Sequence, residues 1–188
     1  MRKFSITFML LCISTSAIHA QHSSDYRMVF PEPIDNPDPE TEKVLGYKSK
    51  GYYNLTADKG EFVLTIGYQF QEAYPFNPKY ELARVKQGDK YGFIRIDGLP
   101  AILCTYDDAR DIDENGFAMV NQNGKWGLLT FSNISAIPCV YDTMDDLYNG
   151  WYEVSRDGEW GYIHNTGVYA SSYSEYAKKK ETIGTEIQ

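Results

Sequence analysis

Histidine and cysteine are scarce, with three of each in 188 residues. Cys12 and His19 lie in the first twenty residues, which leaves His22, His164, Cys104 and Cys139. They show no zinc-type cysteine–histidine spacing, and no Ser or Cys stands in a nucleophile motif. A glycine-rich phosphate loop is also missing. Cations are the minority charge, 18 Lys and Arg against 26 Asp and Glu, for a formal net charge of −8. The basic stripe of a nucleic-acid binder is therefore absent, and anionic lipid surfaces are disfavoured partners. After residue 20 no apolar run nears the roughly 20 residues of a membrane helix. Sustained 3.6-residue periodicity is lacking too, so little helix is expected. What the chain has in quantity is aromatic side chains: 16 Tyr, 9 Phe and 3 Trp.

The first twenty residues have the layout of a secretory signal peptide. Arg2 and Lys3 precede the apolar run Phe4 to Ile13, and small residues lead to Ala20. Cleavage is expected after Ala20, with Ala17 as second choice. A lipid-modified Cys12 is the weaker alternative, because bulky Leu11 precedes it and the apolar run would be cut in half. The remainder is expected to be exported, to the periplasm or the cell surface, with no membrane insertion after cleavage. Residues 21–42 hold Pro31, Pro33, Pro37 and Pro39, and read as an extended, helix-free tether. Residues 177–188 read as a polar C-terminal tail.

Between these ends lies a repeat. Gly92, Gly127 and Gly161 are 35 and 34 residues apart, and each follows an aromatic: Tyr91, Trp126 and Trp160. Seven residues before them stand Val85, Val120 and Val154, and nine before them Ala83, Ala118 and Tyr152. Fourteen after the first two come Tyr106 and Tyr141, each followed by Asp. A fainter copy places Val44 seven before Gly51. Asn123-Gly124 is a type I′ hairpin signal, echoed at Gln87-Gly88-Asp89 and Asp157-Gly158. A fixed period with this many registered positions marks a tandem array of one supersecondary unit. The predicted fold is all-β: three to four three-stranded hairpin units over residues 43–176, at about 43–79, 80–114, 115–148 and 149–176. Acidic excursions join the units. The repeat aromatics, with the valines and glycines, are expected to form the core between units.

The segments Asn123-Gly-Lys-Trp-Gly127, Gly158-Glu-Trp-Gly161, Ile137-Pro-Cys-Val-Tyr-Asp142 and Asn115-Gly-Phe-Ala118-x-Val120 resemble the WG-repeat family. The resemblance implies an all-β tandem hairpin array of a kind common in exported bacterial proteins. It implies no shared catalytic residues. No cofactor is expected.

The remaining residues suggest three chemistries. Asp111-x-Asp113-x-Asn115-Gly116 matches the first half of an EF-hand loop, but Gln122 stands where a bidentate Glu belongs, so the calcium candidate is weak. Cys104 and Cys139 occupy equivalent positions; a disulfide is permitted by export, and two buried free thiols are the favoured expectation. Asn54 and Asn133 head glycosylation sequons that are expected to go unused. Acidic pairs such as Asp107-Asp108 and Asp145-Asp146 read as solvated loops. The expected function is a non-catalytic module binding another envelope protein. The alternative is glycan or cell-wall binding through exposed Tyr74, Tyr148, Tyr169 and Tyr173, which lie off the registered core positions. A carboxylate-dependent hydrolase comes last.

Overall fold

The computed structural model describes residues 30–55 and 62–186. The expected signal peptide and residues 21–29 lie outside the described residues. So does Thr56, the last residue of the Asn54 sequon.

The described residues form four antiparallel sheets in chain order. The first contains β1 (Glu32–Asp35), β2 (Lys50–Leu55) and β3 (Phe62–Phe70). The second contains β4 (Glu72–Ala73), β5 (Leu82–Gln87), β6 (Lys90–Arg95) and β7 (Pro100–Tyr106). The third runs β8 (Asp108–Ala109), β9 (Phe117–Gln122), β10 (Lys125–Thr130) and β11 (Ser135–Tyr141). The fourth runs β12 (Thr143–Asp146), β13 (Trp151–Arg156), β14 (Glu159–His164) and β15 (Tyr169–Ala170). The all-β tandem array is thus as expected, with one addition. The acidic excursions are not pure connectors: β8 and β12 pair with the strand that follows, as β4 does in the second sheet, adding a short fourth strand to each sheet. The expected unit boundaries fall in the loops after these short strands, whereas the chain passes between sheets just before them.

The central hairpin of each of the last three sheets turns through two residues with positive φ, at Gly88-Asp89, Asn123-Gly124 and Asp157-Gly158. This is the type I′ geometry that matches strand twist. The period-2 alternation of each strand then feeds two cores. Ala83, Val85 and Ile94 pack towards the first sheet with Tyr52, Ile66 and Phe70. Leu82, Phe93 and Ile102 point the other way, to Ala118, Val120 and Leu129 of the third sheet. Leu128 and Ile137 of that sheet meet Tyr152, Val154 and Ile163 of the fourth. A sheet apolar on both faces is stable only between two neighbours, so the array is a stack.

The ends differ from expectation. The Pro-rich segment is tied down where it is described, since Pro33 and Ile34 of β1 pair with Tyr52 and Gly51. Pro is tolerated there because β1 is an edge strand. Ile34, not Val44, holds the position opposite the glycine; Val44 is 83% exposed. Val44 sits on the helix α1 (Pro39–Leu45), contrary to what the proline density implies. Asp38 caps α1 by accepting from the Glu40 N–H, and Pro39 occupies the first turn, where its missing N–H costs nothing. At the other end, the expected polar tail forms most of α2 (Tyr173–Glu186). Ser172 and Glu175 form its capping contacts. Tyr176 of α2 is buried edge-on against Trp151, ring centroids 5.1 Å apart, so α2 covers part of the last sheet's outer face.

Candidate functional site

The repeat positions explain one another once the strands are paired. Val85, Val120 and Val154 lie directly opposite Gly92, Gly127 and Gly161. All three valines are at most 1% exposed. A Cβ on Gly92 would stand 2.5 Å from the Ile102 carbonyl oxygen, and one on Gly127 would stand 2.6 Å from that of Ile137. Gly51 repeats the arrangement, 2.5 Å from the Ile66 oxygen. In the first three sheets the strand after the glycine crosses it at a register shift, and only a residue without a side chain admits that approach.

A polar contact locks each sheet to the next. Asp107 pairs with Lys90 of its own sheet, while its Oδ2 accepts from the Asn123 N–H of the next hairpin at 2.6 Å. Asp142 does the same with Lys125 and the Asp157 N–H, the latter at 2.8 Å. Gln71 takes this place between the first two sheets, accepting from the Asp89 N–H and donating to its carboxylate. The lysine hydrogen bonds hold both aspartates below the usual carboxylate range, with the turn N–H contributing.

The sequence profile described as WG containing repeat matches residues 58–91, 91–126 and 133–160, over half of the chain. The chain belongs to the WG-repeat family. Each match ends on the aromatic of an aromatic–glycine pair, so a WG unit measured in sequence straddles two stacked sheets. Among curated proteins no match is found.

The motif aromatics are not equivalent in this WG array. Tyr91 and Trp126 are half-buried and pack towards the sheet that follows. Arg110 lies over the Trp126 ring at 5.5 Å. Tyr106 and Tyr141 are half-buried opposite them. Trp160, expected in the core, is 57% exposed. The cause is positional: among the described residues no fifth sheet is stacked on the fourth, β15 is too short to reach Trp160, and α2 covers only the neighbourhood of Trp151.

The four tyrosines expected to form a platform separate into two groups. Tyr148, Tyr169 and Tyr173 are 73%, 43% and 70% exposed, all on the last sheet or its helix. Tyr74 is not exposed in this way: Arg84 lies 3.7 Å from its ring centroid, and its hydroxyl donates to Glu72. Burial works to raise the Glu72 carboxyl, but hydrogen bonds from Tyr74, Tyr91 and Lys86 outweigh it and hold it low.

The calcium pattern is spent on structure. Asp113 accepts from the N–H groups of Asn115 and Phe117 with one oxygen, and from the Tyr152 hydroxyl with the other. Asp111 pairs with Arg84, Nε to Oδ1 at 2.9 Å. Among the described residues no cluster of three or more His, Cys, Asp or Glu is placed to hold a metal ion. Cys104 and Cys139 are both free, packed at different inter-sheet cores, and burial pushes both thiols up. His164 is buried, with Nδ1 on the Thr166 hydroxyl and its ring against Trp151; burial pushes it below its usual value.

One registered position is not among those read from the sequence. Seven residues after each motif glycine stand Leu99, Ile134 and Val168, whose carbonyls close identical turns with the N–H groups of Arg95, Thr130 and His164. Their side chains are 55%, 63% and 36% exposed. The signal lies in the spacing, an aliphatic residue just after each Gly or Asn turn.

Proposed function

We propose that this WG array is an exported, non-catalytic module that binds another envelope protein along the edge carrying Leu99, Ile134 and Val168. The carrying observation is the recurrence of an exposed aliphatic side chain at one position in three successive units. Single exposed apolar residues need no explanation, but a repeated one on a stack forms an extended contact line. Asp107, Asp113 and Asp142 are engaged in holding turns and neighbouring sheets, and Glu72 is engaged within the second sheet by Tyr74, Tyr91 and Lys86, which supports the non-catalytic reading. Residues 21–188 immobilised against an envelope extract should retain one dominant protein through moderate salt. The variant Leu99→Asp/Ile134→Asp should fold normally and lose at least about tenfold of that capture, as loss of a desolvated apolar anchor requires. Equal capture by the variant would sink the reading.

A second reading, glycan or cell-wall binding, draws on the outward tyrosines Tyr148, Tyr169 and Tyr173, together with exposed Trp160. Aromatic faces of this kind stack on sugars. Cell-wall fragments enriched without any protein would favour it.

A further inference from the structure

We infer that the cleft between the second and third sheets binds an extended peptide through the backbone N–H and C=O of one residue and one apolar side chain. The inference rests on the interaction-module reading and names the chemistry of one contact. The cleft holds about 200 Å³, below the roughly 300–1,000 Å³ of small-molecule pockets and suited to a single side chain. Phe76, Leu82 and Ile112 supply its apolar wall, and Asn77, Arg84 and Asp111 its polar rim.

Asn77 is fully used. Its Nδ2 donates to the Ile112 carbonyl at 3.0 Å, and its Oδ1 accepts from the N–H groups of Lys79 and Tyr80. Arg84 and Asp111 are not. The guanidinium is fixed by the Tyr74 ring, by the Ala109 carbonyl on Nη1 and by Asp111 Oδ1 on Nε. The Arg84 side chain is only 10% exposed, yet Nη2 has no hydrogen-bond partner among the described residues and keeps some accessible surface. Asp111 is 62% exposed, with Oδ2 likewise open. The rim therefore presents one rigid donor beside one acceptor, with charges that cancel.

That pairing selects the ligand. A free anion would meet the Asp111 charge and a free cation that of Arg84. The neutral backbone of one extended residue satisfies both, because in a strand its C=O and N–H point to the same side. Its C=O accepts from Nη2, its N–H donates to Oδ2, and a neighbouring apolar side chain enters the cleft. Because Arg84 is already immobilised, its side chain loses little further entropy on binding. A sugar diol offers the same donor and acceptor but is gripped by an open ring face. Here Phe76 is 6% exposed and the Tyr74 face is covered.

The test uses full-length isotope-labelled protein and NMR titration with a blocked pentapeptide, Gly-Ser-Leu-Ser-Gly. Controls are the same peptide with Gly replacing Leu, and N-acetylglucosamine. The Leu peptide should give saturable shifts of the Arg84 Nε–H and the Ile112 amide, with a Kd in the millimolar range expected of one anchor. Both the Gly peptide and the variant Asp111→Ala should bind at least about tenfold more weakly. Should Asp111→Ala lose its folded spectrum, Asp111→Asn serves, since it keeps the shape and alters the acceptor. Absence of saturable shifts at about 20 mM Leu peptide, equal binding of the Gly peptide, or shifts with the sugar alone would overturn the site. Such a failure leaves capture through the Leu99–Ile134 edge intact, so the two readings fail separately.

Discussion

Gly127→Ala should lose about 3 kcal/mol of stability or more, the upper end for inserting a methyl group into packed structure. The new Cβ would stand 2.6 Å from the Ile137 oxygen and 2.7 Å from both the Cys139 nitrogen and the Pro138 carbonyl carbon. These are backbone atoms held in the β10–β11 ladder and cannot swing aside as a flexible side chain would. Gly67→Ala is the control. No atom lies within 4 Å of a Cβ built there, so its effect should stay within about 1 kcal/mol. Urea titrations of the two variants check the contrast. Equal effects would mean that the strand crossing is not what fixes the motif glycine.

The tryptophans should rank by their place in the stack and not by their place in the motif. Trp151, outside the aromatic–glycine pair, is 1% exposed between the last sheet and α2. Trp151→Ala should cost about 3–5 kcal/mol, the usual range for a fully buried Trp. Trp160→Ala removes a motif residue that is 57% exposed, and should cost less than about 1 kcal/mol. Denaturant midpoints measured at constant m-value decide the order. A large loss at Trp160 would show that its face is covered in solution.

These contrasts also mark how far the residue pattern alone reaches. Val85, Val120 and Val154 are legible because a two-residue turn forces the residue seven before each glycine to stand opposite it. Ile34 is not, because α1 and its flanks replace that turn and lengthen the interval to 17 residues. The helix α2 escapes because its buried side is carried by Tyr176, with Ile183 partly buried one heptad on, too sparse a stripe to register as periodic. Trp160 departs from its expected core position because its burial would require a further sheet stacked on the fourth, and a motif confined to one hairpin carries no record of that neighbour. The Arg84–Asp111 rim joins residues 27 apart on successive sheets, so only the stacking brings them together. The aliphatic edge, by contrast, shares the 35- and 34-residue spacing of the glycines and is open to reading.

The clamping of sheets pairwise in chain order, each contact confined to nearest neighbours, is the central claim. Amide hydrogen exchange in Asp142→Ala tests it most directly. The Asp157 N–H, which Asp142 holds, should exchange at least about tenfold faster than in the parent protein. The Asn123 N–H, held by Asp107 one sheet earlier, should keep its protection. Unchanged exchange at Asp157, or equal acceleration at both amides, would contradict the clamped stack.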